Sequence, residues 1–184
     1  MKETLRLILV LTVICAVSSA LLAAVYSKTK DPIGAALELR TANAAAKVLP
    51  EGLSTPEKKE IGGVTFFVAK KEGAFAAAAL EGRSKNGYGG EIVLMVGLSA
   101  DGKLVNYQKL VASETPGLGT KMESDSFRKP LLGRPLKADW RVKKDGGEVD
   151  AITAATISSR AVLECLRDAI AKYEKASAEL AAAK

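Results

Sequence analysis

The run Leu7–Val25 contains no charged side chain and includes eleven Leu, Ile or Val residues, which leaves it few environments to occupy. A helix of that length spans the hydrocarbon core of a bilayer. At about −0.4 kcal/mol for each of those residues, insertion gains roughly −4 kcal/mol before the Ser and Thr contributions. The sequence therefore predicts one transmembrane helix near the N-terminus. The competing reading is a cleaved signal peptide, since Lys2 and Arg6 form a short basic lead and Ser18-Ser-Ala20 offers small residues for cleavage. The apolar run continues through Leu21, Leu22 and Val25, which favours a retained anchor, and Ile14 before Cys15 is too bulky for a lipoprotein signal. Lys28 and Lys30 after the span nearly balance Lys2 and Arg6 before it, so charge sets the orientation only weakly. The short leading segment favours a cytoplasmic N-terminus.

Three regions follow from this anchor: a tip and transmembrane helix over 1–27, a connecting helix and linker over 28–62, and a folded domain over 63–184. Asp31-Pro32 is a good N-cap and first-turn pair for a helix to about Val48, ended by Pro50-Glu-Gly52. This helix is either a stalk or packed on the domain. The polar stretch Ser54–Gly63 then separates it from the strands. Val64–Ala69 and Ala74–Glu81 read as a first hairpin, and Glu91–Leu98 and Leu104–Val111 as a second, joined by Ala100-Asp-Gly102. Ile92–Val96 is apolar without alternation, the pattern of a strand covered on both faces. A helix is expected from about Ser124 to Leu132, a last strand over Leu136–Lys143, and a long helix starting between Thr156 and Ser159. Its apolar face would be Val162, Leu166, Ala169, Ile170 and Tyr173, and the Ala/Glu/Lys tail beyond has little to bury. The fold class is α+β, with a mostly antiparallel sheet and flanking helices.

Histidine is absent, which removes Ser-His-Asp and Cys-His catalysis and the usual zinc ligand sets. No metal site is expected. Cys15 in an apolar run and Cys165 on a helix face suit buried thiols. The net charge of +6 is spread along the chain without a basic block or interleaved aromatics, so nucleic acid is not an expected partner.

The chemistry concentrates at Asp150-Ala-Ile-Thr-Ala-Ala-Thr156-Ile-Ser-Ser-Arg160, where hydroxyls precede a helix. The first amides of a helix have no intrahelical acceptor and carry partial positive charge, so this position seats a phosphate, with Ser158 and Ser159 as helpers. The plainer role for the same residues is helix capping. Upstream, Ser113-Glu-Thr-Pro-Gly-Leu-Gly-Thr-Lys121 forms a turn able to bring backbone amides to a ligand, with Glu114 as acceptor and Lys121 as cation. It also reads as an ordinary strand-to-helix turn. Gly87-Tyr-Gly-Gly90 is a loop of unusual backbone geometry, and Trp140 suits the core or sheet surface better than a ligand stack.

Asp150-Ala-Ile-Thr-Ala-Ala-Thr156 resembles the flavinylation motif Asp-x-x-Ser/Thr-Gly-Ala-Thr of FMN-binding domains, with Ala154 where the family usually has Gly. Glu114-Thr-Pro-Gly-Leu-Gly119 resembles the same family's second motif, and Gly87-Tyr-Gly-Gly90 its Gly-Tyr-x-Gly stretch. Ala112 stands where the family usually carries His. The order of anchor, sheet domain and both motifs is similar to the G subunit of Rnf-type ion-translocating electron transport complexes over most of the chain. The longer C subunit of the Na+-translocating NADH:quinone oxidoreductase is related.

The resemblance implies FMN held by a phosphoester on Thr156, with Glu114, Thr115, Leu118, Gly119, Lys121, Thr153 and Ala155 nearest the cofactor and Tyr88 at its border. Asp150 would belong to the signal read by an FAD-dependent, Mg-requiring flavin transferase. It further implies a single-pass component of the inner membrane, its soluble domain outside the cytoplasm. There it would relay electrons in a complex coupling ferredoxin and NAD to ion movement, without turnover alone. The alternatives are the C subunit of the Na+-translocating enzyme, a free-standing extracytoplasmic flavoprotein, and an anchored binding module without a redox role.

Overall fold

A computed structural model describes residues 2–182. The chain divides into two compact units, Met1–Arg40 and Thr41–Lys184.

The first unit is helical and belongs to α1, Lys2–Val48, whose most apolar window has a mean hydropathy of 2.7 and is not buried against protein. The apolar side chains from Leu5 to Leu39 are largely exposed, as a lipid-facing helix requires. Asp31-Pro32 does not start a second helix as expected; α1 runs straight through Pro32. Proline removes one backbone hydrogen bond, but the alanines, leucines and lysines on both sides favour the helix strongly enough to continue it.

The second unit takes the last turns of α1 and builds a five-stranded antiparallel meander in the order β1-β2-β3-β4-β5. The strands are β1 Glu57–Ile61, β2 Val64–Lys71, β3 Ala74–Gly87, β4 Gly90–Ser99 and β5 Leu104–Val111. Both expected hairpins are present. β1 lies inside the stretch read as linker; Glu57-Lys-Lys-Glu-Ile61 is a largely exposed edge strand paired with β2 and carries no apolar alternation to announce it. Charged residues on such an edge deter pairing with another chain. β3 extends past Glu81 to Gly87, so Tyr88-Gly89 becomes the two-residue tip of a β3–β4 hairpin.

β4 is buried on both faces from Ile92 to Leu98. Ile92, Leu94, Val96 and Leu98 face the main core under α3, Thr156–Ala182, while Val93 and Met95 join Ala44, Ala45, Val48 and Leu49 in a second cluster. Gly82 lets α3 approach β3 closely, because a Cβ there would collide with the Cys165 carbonyl. Burial pushes the Cys165 thiol up to about 12, with Asp168 and Glu164 adding to the shift, so it remains protonated and inert at neutral pH.

Three further expectations differ from the structure in this unit. The helix from Ser124 is split into α2, Asp125–Arg128, and a 3-10 turn at Lys129–Leu131, because Pro130 has no amide to continue it. Ser124 donates to the Lys121 carbonyl at 2.6 Å instead of capping. Leu136–Lys143 is an irregular loop rather than a strand: Ala138 turns back on Pro135, and buried Trp140 donates to the Leu136 carbonyl at 3.0 Å. The tail of α3 also buries more than its composition suggests, since Ala176 and Leu180 reach the core.

Candidate flavin site

Thr156 is the first residue of α3 and borders a half-open cleft of about 450 Å3. Tyr88, Glu114, Thr115, Leu118, Gly119, Ala154, Ala155, Thr156, Ile157 and Ser158 form its walls. Segments distant in the sequence meet here: the β3–β4 tip, the loop after β5 and the start of α3. A cleft of this size with apolar walls and few polar groups suits a flavin-sized ligand.

Glu114 joins the three segments. Its side chain is buried; Oε1 accepts from the Gly89 amide at 3.2 Å and Oε2 from the Ser158 hydroxyl at 2.6 Å. The acceptor read as facing a ligand is therefore already engaged by protein donors at both oxygens. Gly119 passes so close to this pair that a Cβ would meet the Glu114 carboxylate and the Ser158 hydroxyl. A residue with any side chain would force the loop off α3.

The two serines expected to assist a phosphate face inward. Ser158 is tied to Glu114, while fully buried Ser159 donates to the Ala155 carbonyl at 2.9 Å and accepts from the Ile152 amide at 2.9 Å. Buried hydroxyls need such partners, and these brace the bend that leads into the helix. The Ser159 amide bonds the Ala155 carbonyl at 3.0 Å, so the amides of Thr156, Ile157 and Ser158, which have no intrahelical acceptor, are the donors α3 offers at the cleft.

Of the other candidates, Ala155 is buried in the wall, while Thr115 and Leu118 lie in the loop facing it. Tyr88 is 70% exposed at the mouth. Thr153, Lys121 and Asp150 are exposed outside the cleft lining, and Asp150 pairs with Lys143 at 2.8 Å. Sequence reasoning does not single out Ile157 or Lys144. Ile157 is apolar yet 48% exposed, out of register with the buried face of α3, and that break in the pattern is a readable signal. Lys144 places its Nζ 3.4 Å from the Thr156 Oγ1, a proximity no sequence spacing reveals.

Ala154 has φ of 62°, in the left-handed region where a Cβ is strained and glycine is not. Ala154→Gly is expected to stabilise the protein by about 0.5 kcal/mol, the relief of strain exceeding the entropy added to the unfolded chain. A urea midpoint unchanged or lowered would contradict this.

The FMN-binding domain family matches residues 87–171, which include every residue lining the cleft. Over 178 residues the chain is 32% identical to the G subunit of the ion-translocating oxidoreductase complex of Haemophilus influenzae, covering 88% of this chain and 86% of the relative. It is 34% identical over 181 residues to the corresponding G subunit of Cereibacter sphaeroides, covering 90% and 82%. The chain belongs to the G-subunit family of ion-translocating oxidoreductase complexes.

Solved structures bear on the fold of this family member. The C subunit of the Na+-translocating NADH-quinone reductase of Parabacteroides distasonis superposes with a TM-score of 0.51 at 23% identity, over 62% of both chains. The NqrC of Shewanella oneidensis gives 0.51 at 21% identity, over 76% of this chain and 72% of the other. The α+β fold read from the sequence is the one this G-subunit relative has.

Proposed function

We propose that the chain is a membrane-anchored flavoprotein that carries FMN as a phosphoester on Thr156 and relays electrons within an ion-translocating oxidoreductase complex. The observation carrying this reading is the position of Thr156, a half-exposed hydroxyl at the first turn of α3 on the rim of an apolar cleft. The residues present fit the group. First-turn amides and Lys144 suit a phosphate, Leu118, Ile157 and Tyr88 suit an aromatic ring, and the close packing at Gly119 keeps the loop against the helix.

FMN bound there would supply one- and two-electron chemistry, for which the chain needs no general base. The protein's own contribution is placement. Ser158 and Glu114 hold the start of α3 against the hairpin tip, and the exposed rim leaves one side of the cleft open to a redox partner. Helix-terminus electrostatics contribute only about 0.3 to 1 kcal/mol at an exposed site, too little to retain a scarce free ligand. An ester bond removes that dependence. Its formation would fall to a flavin transferase that recognises the segment from Asp150 to Thr156.

The soluble unit would lie outside the cytoplasm, with α1 as a single-pass anchor in the inner membrane. Cys165 is buried, and Cys15, exposed rather than buried against protein, lies within the expected membrane span. A thiol introduced at Glu51, which is exposed at the start of the soluble fold, can therefore be read separately by an impermeant reagent. In intact cells of the native host, Glu51→Cys is expected to react with a membrane-impermeant maleimide, and the tagged protein to co-purify with other membrane subunits. Labelling only after lysis would reverse the orientation. Isolation of the chain alone from gently solubilised membranes would favour a free-standing flavoprotein.

A further inference from the structure

Lys143, Lys144 and Asp145 form a short 3-10 turn, and each of the three reaches the segment from Asp150 to Arg160. Lys143 pairs with Asp150 at 2.8 Å, and Asp145 takes two hydrogen bonds from Arg160 at 2.7 and 2.6 Å. The turn is thus fixed on both sides of Thr156. Between these two neutralised pairs, Lys144 lies 3.4 Å from the Thr156 hydroxyl and makes no ion pair among the described residues. Its cation is directed at an uncharged group. The Arg160 hydrogen bond holds Asp145 below the usual carboxylate range. A depressed folded-state value stabilises the pair above the unfolded pKa and is lost as pH falls through the folded one, so the clamp stands at neutral pH and is released by acid.

We propose that Lys144 is the phosphate-binding cation of the Thr156 site. It would pair with the phosphoester after attachment and with the FMN-side phosphate of FAD during it. This rests on the reading of Thr156 as the flavin acceptor. In the transfer, the Thr156 oxygen forms a bond to the FMN-side phosphorus of FAD. The bond from that phosphorus to the oxygen bridging it to AMP breaks, AMP leaves with the electron pair, and the hydroxyl proton passes to a basic group of the transferase. Negative charge gathers on the phosphoryl oxygens at that stage, where an ammonium group placed beside the attacking hydroxyl is most useful. The site is exposed, so the effect is screened by salt.

The full chain, purified in detergent without flavin, would be incubated with a flavin transferase of this family, FAD and Mg2+, and label followed as in-gel flavin fluorescence. At low ionic strength Lys144→Gln is expected to slow labelling about tenfold, Lys144→Arg to restore most of the rate, and Lys137→Gln to leave it unchanged. The wild-type rate should fall with added salt and the Lys144→Gln rate should not. All variants should keep the wild-type melting temperature. Label on Lys144→Gln at the wild-type rate and salt dependence would overturn this inference while leaving Thr156 as acceptor. No label on the wild type would overturn both.

Discussion

Thr156→Ala is expected to abolish covalently bound flavin while leaving the protein folded. The two outcomes separate because Thr156 contributes little to the architecture: its side chain is half-exposed, and among the described residues its hydroxyl has only the 3.4 Å contact to Lys144. Removing it should change stability by no more than about 0.5 kcal/mol. Coexpressed with the transferase, the wild type should fluoresce in a denaturing gel and Thr156→Ala should be dark at equal protein. Thr156→Ser keeps the hydroxyl and should keep some label. Fluorescence retained by Thr156→Ala would move the attachment to another residue.

The second large effect belongs to Glu114. Glu114→Ala strips the acceptor from the Gly89 amide and the Ser158 hydroxyl and opens a void beside Gly119. Loss of the acceptor for the buried Ser158 hydroxyl and the part-buried Gly89 amide, with the void, costs about 3 kcal/mol together, or roughly 10 °C in melting temperature for a unit of this size. Glu114→Gln retains an oxygen for Gly89 and an amide able to donate to Ser158, and should lose only about 1 kcal/mol. Equal stability of Glu114→Ala and the wild type in thermal melts would show that the three walls of the cleft do not depend on this carboxylate.

Much of the fold can be read in the chain because local signals agree with the final packing. The Ala100-Asp-Gly102 turn, the unbroken apolar run Ile92–Val96 and the 3.6-residue spacing of Val162, Leu166 and Tyr173 each correspond to a visible element. What escapes reading depends on neighbours. β1 is a strand because β2 offers it a ladder, and α1 continues past Pro32 because one lost hydrogen bond does not outweigh two good helical flanks. Leu180 is buried by surfaces brought from elsewhere, and Trp140, read as core or sheet surface, is buried from a loop rather than from the expected strand.

The site divides in the same way. Residue types around Thr156 point to a helix start able to hold an anion, yet on their own they favour capping; the paired motifs lend the flavin reading its weight. The inward turn of Ser158 and Ser159, the strut at Glu114 and the cation at Lys144 are properties of three-dimensional contact. Spacing along the chain carries no trace of them.

The measurement closest to the central claim is peptide mass analysis of the protein isolated from membranes of its native host. The expected result is one peptide containing Thr156 heavier by FMN less water, with fragment ions placing the addition on that threonine. An unmodified peptide at full occupancy, or the same increment found on a different residue, would contradict it.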